Sequence, residues 1–574
     1  MNERLKTLRH SASHVLAQAV QHLYPNVKLG IGPAIENGFY YDFDLDTKLT
    51  EKDLVKIEQE MVRIIKEKQT YKLTYRTKSE AVKLLKQQNQ TYKLELINSL
   101  DLDTYSFYTN GPFVDLCKGP HIENTQEITN IKLLSIAGAY WKGNEQNKML
   151  QRIYGTCFEH RKELNIYLKN REEALKRDHR LLGKALDLFD IDENIGPGLI
   201  LWHPKGTFLK NKIEDEWKKD HVLKNYKLIQ TPHIGKSSLW ETSGHLDFYK
   251  DNMYGGTLVD EQSYYIKPMN CPFHIKVYEK NLKSYKDLPY KIAELGTVYR
   301  NERSGVLHGL MRARGFTQDD AHIFCTKEQV NTQIKEILNL AISTLKQYGF
   351  ETFNAFLSTK PEQKFVGENK DWKIAEKALE KALNEENIPF KIDNGGGAFY
   401  GPKIDLKIKD SLNREWQCST IQFDFNLPKR FNLSFINSEG KKETPYMIHR
   451  AIFGSLERFL GILIEHYNGE FPIKLSPIQV KILSIQDSCV DYCKELESEL
   501  KTNFIRTELD VSDNKISKKV KTAINEKIPI MIIIGKNEVT NRTITVRNKK
   551  QTLEIKTVKE IINLINSFDK KDKQ

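Results

Sequence analysis

The chain has little of what marks secreted, fibrous or membrane proteins. Its seven cysteines in 574 residues are odd in number and scattered, which excludes a disulfide framework. Eighteen prolines and 31 glycines are too few for a collagen-like or low-complexity chain. The apolar run Ile528–Ile534 falls far short of the roughly 20 residues a spanning helix needs. The N-terminus, MNERLKTLRHSASH, lacks the apolar core of a secretory signal. Together these absences predict a reduced, cytoplasmic protein with no membrane segment.

What is present suits packed cores. A chain that is 39% hydrophobic and 10% aromatic is not disordered along its length. At roughly 150 residues per domain its length suggests about four domains. The 88 Lys+Arg against 76 Asp+Glu leave a net +12, which favours an acidic partner such as nucleic acid. From Ser476 onward 19 basic and 14 acidic residues leave +5, so the C-terminal part is the more basic. Solubility alone explains such an excess equally well.

Periodicity divides the chain. Residues 1–160 read as an α+β unit. Ser11–Leu23 carries a helical apolar stripe, and Gly38–Leu45 alternates like a strand. Leu54–Lys66 is helical, opened by Thr50 with Asp53 three residues on. Residues 105–121 are strand-like and end in a Gly-Pro turn. Residues 161–180 are charged and predict a solvated connecting helix. Residues 181–472 hold strand-like runs with glycine-rich turns, and 445–467 near their end reads as one long buried helix. Pro472 and Pro477 mark a linker. Residues 478–574 read as a compact α/β module, with strands at 480–485 and 528–534 and helices at 488–500 and 557–568. A lysine-rich tail, KKDKQ, closes the chain.

Segment 294–325, ELGTVYRNERSGVLHGLMRARGFTQDDAHIFC, places an arginine-rich loop between two strand-like runs, as in an antiparallel hairpin. The planar fork of arginine grips phosphate at two points, which lysine cannot do. Arg300, Arg312 and Arg314, with Glu302 among them, suit a nucleotide, although a surface hairpin with exposed arginines fits the same residues. Arg458 lies inside the apolar segment GSLERFLG (454–461), where a buried cation needs a partner. A structural salt bridge is the plain reading of it.

Taken together, these segments resemble the class II aminoacyl-tRNA synthetases, and threonyl-tRNA synthetases in particular. TVYRNERSGVLHGLMRARGFTQDDAHIFC is similar to the second signature of that class and GSLERF to the third. Residues 206–232 resemble the first, a dimer-forming helix and strand. MNCPFH (269–274), FYGPKID (399–405), EWQCSTIQFDF (415–425) and MIHRAIFGS (447–455) are close to threonyl-specific stretches. The likeness runs from residue 1 to about 565.

The resemblance implies an α+β multidomain protein. An antiparallel-sheet catalytic core (181–472) follows an editing domain (1–160) and a connecting helix (161–180), and a C-terminal α/β anticodon-binding domain (478–574) ends the chain. It implies ATP-dependent ligation of L-threonine to tRNA(Thr) through threonyl-adenylate, in a homodimer. Arg300 would grip the α-phosphate, Arg458 the γ end, and Arg312 would join them. Glu302 would read the adenine amino group, Phe316 would stack on the base, and Lys403 would lie near carboxylate and phosphate. Mg2+ would accompany ATP. Cys271, His322 and His449 match zinc ligands, one Zn2+ per subunit, although 51 and 127 residues separate them and no spacing rule flags them. Asp320, Gln318 and Gln417 match positions around the threonine side chain.

Zinc would demand the threonine hydroxyl and so exclude valine, but serine keeps that hydroxyl. One methyl is worth about 1–3 kcal/mol, too little for accurate translation, so a hydrolytic editing site is expected. His10 and His14 share a helix face at i,i+4, and Cys117 and His121 form a second pair. From the residues alone, a metal site, a thiol or acid–base site, and no function at all stay open. The resemblance assigns these four, with Lys93 and Asp115, to seryl-tRNA hydrolysis without a required metal, although related alanyl domains bind zinc there. Glu538 and Arg547 match anticodon-reading positions. The ubiquitin-like domain that usually precedes the editing domain is expected to be absent, because His10 lies almost at the start. The alternatives are another class II synthetase, of prolyl or seryl type, or a non-catalytic tRNA-binding paralogue. The Cys/His/His set argues against the first and the intact arginines against the second.

Overall fold

The computed structural model describes residues 2–100, 102–363, 365–548 and 551–571, so the end of the lysine-rich tail lies outside it. The chain forms two compact units, Met1–Glu173 and Ala174–Gln574. Among the described residues no helix is long and apolar enough to cross a membrane, and all seven cysteines are free.

In the first unit, helix α1 (Glu3–Leu23) starts eight residues earlier than the apolar stripe predicts. Asn2 caps it by accepting from the Arg4 N–H, and Leu8 extends the buried stripe. Strand β1 (Gly38–Asp44) follows, then α2 (Glu51–Lys66), whose first turn is closed by the expected Thr50/Asp53 capping box. Next come β2 (Tyr71–Thr77) and the short helix α3 (Thr91–Ser99). The stretch predicted as one strand at 105–121 is a hairpin of β3 (Thr104–Asn110) and β4 (Phe113–Leu116). Gly111, at φ +55°, supplies the left-handed turn that the hydrophobic pattern does not reveal. Strand β5 (Asn130–Tyr140) pairs with β6 (Met149–Phe158), which pairs with β1 in one antiparallel sheet, while β2, β3 and β4 form a second. Helices α1 and α2 bury their apolar faces in one core with β1 and β6. Helix α4 (Arg161–Lys176) follows.

The second unit is built on an eight-stranded sheet. Helix α5 (His179–Ala185) and the long α6 (Pro204–Leu223) precede strand β7 (Lys227–Leu228). Helix α7 (Cys271–Glu279) leads to the hairpin of β8 (Tyr290–Tyr299) and β9 (Gly315–Cys325), antiparallel as the sequence predicts. Helix α8 (Val330–Gln347), β10 (Phe353–Ser358), α9 (Asn369–Glu385), β11 (Phe390–Asp393), β12 (Lys403–Lys409) and β13 (Glu415–Asp424) follow. Strand β14 (Tyr446–Ala451) and helix α10 (Leu456–His466) close the layer. The sheet order is β7-β8-β9-β14-β13-β12-β10-β11, parallel only at its two outer pairs.

The reading of 445–467 as one helix is corrected here. Its first part is β14, in the middle of the sheet between β9 and β13. Met447 packs into one core and Ile448 into another, on opposite faces of the strand. A strand covered on both faces shows no polar alternation, so its apolar run looks helical. Gly454, at φ +82°, makes the turn into α10.

The C-terminal part holds β15 (Val480–Ser484), α11 (Val490–Thr502), β16 (Thr507–Asp510), α12 (Ile516–Asn525) and β17 (Ile530–Ile534), then β18 (Ile544–Arg547), β19 (Thr552–Ile555) and α13 (Val558–Lys571). Three of its five strands escaped the sequence because each spans only four residues with polar positions. The expected linker is pinned, with Phe471, Ile473 and Leu475 all buried.

Ile448 is fully buried. Ile448→Ala is expected to cost about 2–5 kcal/mol, read as an earlier urea transition of unchanged slope.

Candidate active site

Pairing in the large sheet assembles the site. Glu294 stands opposite Asp320 across β8 and β9, and His322 stands opposite His449 across β9 and β14. Alternation along β9 puts Phe316, Gln318, Asp320 and His322 on one face and Thr317, Asp319 and Ala321 on the other. The first face borders a pocket of about 600 Å³. Every residue the resemblance assigns to ATP, threonine or zinc lines it: Cys271, Arg300, Glu302, Arg312, Phe316, Gln318, Asp320, His322, Lys403, Gln417, His449 and Arg458, whereas Arg314, read from the loop alone as suiting a nucleotide, does not.

The arginine loop is braced from within. Arg312 pairs with Glu302 at 2.8 Å, and the Arg314 Nε donates to the Glu302 carbonyl at 2.9 Å. The Arg300 guanidinium lies 5.1 Å from the Phe316 ring centroid, close enough for cation–π attraction. Lys403 is 2.7 Å from Asp405, whose other oxygen accepts from Gln417 and Thr420 at 2.7 Å each.

Arg458 departs from the plain reading of a salt bridge. It is half-buried, its Nε has no hydrogen-bond partner, and among the described residues no carboxylate pairs with it. A guanidinium held this way lacks an anion, which a ligand can supply. Its position comes from Asp319, which is fully buried and accepts from the N–H groups of Ile452, Phe453 and Gly454 at 2.7–3.0 Å. Those bonds fix the turn from β14 into α10, and Ser455 caps the helix by accepting from the Arg458 N–H at 3.1 Å.

Cys271, His322 and His449 offer ligand atoms within 4.8 Å of one another, all buried. His322 Nε2 and His449 Nδ1 lie 2.9 Å apart. Their far nitrogens are anchored. His449 Nε2 meets Asp424 at 2.8 Å, and His322 Nδ1 meets His274 at 2.7 Å, which in turn meets Glu294 at 3.1 Å. Imidazoles oriented by carboxylates, with one sulfur beside them, fit zinc with a coordination position left for substrate. Asp320 is held through one oxygen by Asn270 at 3.1 Å, and burial raises its carboxyl above the ordinary range.

The first unit gathers the second constellation. His10 and His14 project from α1, Lys93 from α3, Asp115 from β4, and Cys117 and His121 from the loop after β4. Cys117 Sγ is 3.3 Å from both His10 Nε2 and His121 Nε2. His10 Nδ1 donates to the Pro120 carbonyl at 3.1 Å, so its Nε2 lone pair faces the sulfur. Ser11 lies 3.0 Å from His121 Nδ1, and Tyr71 stacks on that ring at 4.7 Å. Burial lowers all three histidines and pushes the Cys117 thiol up to about 11, so the group is neutral and Cys117 is no thiolate at neutral pH. Asp115 bridges Lys93 at 2.7 Å and the Tyr41 hydroxyl at 2.5 Å.

In the C-terminal part, Glu538 accepts from the Gly535 N–H and the Thr545 hydroxyl, each at 2.8 Å, so its carboxylate holds the fold locally. Arg547 is exposed on β18, on the same face as Thr545.

Comparison with known proteins gives these sites a family. Residues 257–467 match the tRNA synthetase class II core domain (G, H, P, S and T), 479–567 an anticodon binding domain, and 105–154 the threonyl and alanyl tRNA synthetase second additional domain. The threonine–tRNA ligase of Sulfurihydrogenibium sp. (strain YO3AOP1) is 52% identical over 98% of this chain and 89% of its own length. That of Borreliella afzelii (strain PKo) is 52% identical over 94% of this chain and 93% of its own. The chain belongs to the threonine–tRNA ligases. The solved RNA binding domain of the threonyl-tRNA synthetase from Cryptosporidium parvum Iowa II is also similar, at 41% identity over 68% of this chain and 98% of its own, with a TM-score of 0.65.

For a threonine–tRNA ligase, the informative residues missed in the sequence are those that hold others. They are Asn270, His274, Glu294 and Asp424 around Cys271, His322 and His449, Asp319 and Glu457 behind the arginines, and Tyr41 and Tyr71 in the first unit. His274, three residues after Cys271 on one helix, was the most legible of them. Glu457 is buried, accepts from the Thr317 N–H at 2.7 Å, and burial raises its carboxyl to about 7. The unfolded carboxyl ionises near its ordinary 4.5 while the folded one stays protonated, so stability falls as pH rises from 4.5 to about 7 and stays lower above it. Glu457→Gln keeps the acceptor and removes the charge. It is expected to leave stability unchanged near pH 4.5 and to raise it by a few kcal/mol, on the order of 2–3, at pH 8. Urea unfolding at both values checks this.

Proposed function

We propose that the pocket of the second unit activates threonine with ATP and passes it to tRNA(Thr), and that the His/Cys cluster of the first unit hydrolyses seryl-tRNA(Thr). The observation that carries this reading is one pocket lined by Arg300, Arg312 and Arg458 together with Cys271, His322, His449 and Asp320. The proposed division follows: editing in 1–160, a connecting helix in 161–180, catalysis in 181–472 and anticodon binding in 478–574.

In the first step a threonine carboxylate oxygen attacks the α-phosphorus of ATP and pyrophosphate leaves, so no proton has to be removed from the nucleophile. Positioning and charge stabilisation do most of the work. Arg300 takes the α-phosphate, Arg312 joins it, and Arg458, whose guanidinium meets no carboxylate among the described residues, takes the γ end. Phe316 stacks on the adenine, and the Glu302 carboxylate accepts from its amino group. Lys403, oriented by Asp405, neutralises charge where carboxylate and phosphate meet. Mg2+ enters with ATP.

Zinc, when bound by Cys271, His322 and His449, supplies a Lewis acid that recognises an amino nitrogen and a hydroxyl together. Asp320, held by Asn270 through one oxygen, accepts from the hydroxyl with the other, and Gln318 and Gln417 flank it. Valine would leave that oxygen buried and unpaired, which rejects it strongly, whereas serine satisfies it. Editing answers the serine problem. In the first unit a neutral imidazole of His10, His14 or His121 can take a proton from water, and Lys93, fixed by Asp115, steadies the developing charge, with no metal required.

Arg547, exposed on its strand, meets an unpaired anticodon base in this reading, with Glu538 bracing the strand through Thr545. Val222, Leu223, Leu228 and Ile234 are exposed at the end of α6 and just after it, which supports a homodimer contact there.

Asp320→Ala is expected to lower threonine activation by about a hundredfold or more with an unchanged melting curve. His10→Ala or Cys117→Ala should spare aminoacylation and let seryl-tRNA accumulate. Loss of threonine activation in either variant contradicts the division into two sites. Seryl-tRNA deacylation should survive chelation, and full loss restored only by zinc would overturn the metal-free reading.

A further inference from the structure

We infer that His179 is a positioning residue for the ATP loop, holding Leu310 against the helix that carries Arg458. The inference rests on the proposal that Arg312 and Glu302 bind ATP.

His179 is the first residue of α5 and is fully buried. Its Nδ1 lies 2.7 Å from a Glu465 oxygen, which also accepts from the His179 backbone N–H at 3.1 Å. A carboxylate that accepts makes Nδ1 the protonated nitrogen. On the other side the Leu310 N–H donates to Nε2 at 3.1 Å, so Nε2 carries the lone pair. Both bonds are satisfied by one neutral tautomer.

Each neighbour is itself fixed. Glu465 lies on α10 two turns beyond Arg458, and its second oxygen is held by Arg414 at 2.6 Å. Arg414 in turn binds Asp410 at 2.6 Å. Leu310 is buried inside a tight turn in which the His308 N–H donates to the Arg312 carbonyl at 3.1 Å and the Met311 N–H to the His308 carbonyl at 2.9 Å. A displacement of Leu310 therefore carries Arg312 with it, and through Arg312 the pair with Glu302. Gly309 lets the turn sit on the imidazole. Its φ is +50°, and a Cβ there would lie 2.3 Å from His179 Nε2. Without His179 the buried Leu310 N–H would lose its acceptor, a cost that would draw the loop toward water.

The two amide substitutions separate this role from simple support of Glu465. The amide of asparagine reaches about as far as Nδ1, and that of glutamine about as far as Nε2. His179→Asn keeps the bond to Glu465 and loses Leu310, whereas His179→Gln keeps an acceptor for Leu310. In threonine-dependent ATP–pyrophosphate exchange, His179→Asn is expected to raise KM for ATP roughly tenfold with KM for threonine unchanged. His179→Gln should stay near wild type. Equal damage in both variants, or damage in glutamine alone, overturns the inference in favour of a structural role. Should His179→Asn fail to fold, His179→Leu, which fills similar space with no acceptor for the Leu310 N–H, takes its place beside His179→Gln. A raised KM for ATP supports the clamp, and an unchanged one overturns it. Wild-type protein without threonine-dependent exchange would instead bring down the reading of the pocket on which the inference rests.

Discussion

In the antiparallel pairing of β9 with β14, His322 stands opposite His449 and Asp320 opposite Ala451. A slip of one residue would turn every side chain on one of these strands to the other face of the sheet. The same pairing brings Asp319, on the far face, under the turn of residues 452–454, and so sets where α10 begins and where Arg458 lies. The positions of His322, His449, Asp320 and Arg458 thus depend on one register. Cores on both sides hold that register in place.

The two constellations are built on opposite electrostatic terms. The pocket of the second unit keeps cations under-neutralised. Arg458 has no carboxylate partner among the described residues, and Arg312 pairs only with the part-exposed Glu302 among them. Such an excess of positive charge favours an anionic ligand. The cluster of the first unit is neutral, because burial strips the charge from three histidines and holds the thiol protonated. Its one charged element, Lys93 with Asp115, is buried and internally compensated. A neutral, hydrogen-bonded site suits the handling of water on an ester, and the cationic pocket suits phosphate chemistry.

Much of this was legible in the sequence, for identifiable reasons. The arginine hairpin could be read because two half-buried strands alternate around a polar loop. The first turn of α2 could be read because a capping box is a local signal. Strand β14 could not, since a strand covered on both faces loses its period. Nor did spacing reveal Cys271, His322 and His449, because three-dimensional pairing brings them together and only the family resemblance linked them. The carboxylates behind them, Asp424 and Glu294, gave no signal beyond their letters. That no carboxylate among the described residues meets the Arg458 guanidinium is a fact of packing that no pattern of residues encodes.

The central claim is that the second unit selects its amino acid through a hydroxyl and binds ATP in the same pocket. The most direct test is ATP–pyrophosphate exchange by the intact protein with threonine, serine and valine side by side. Threonine should give the strongest exchange, serine a signal about 10–200-fold weaker, and valine none above background. Exchange with valine equal to or above that with serine would contradict selection through the hydroxyl.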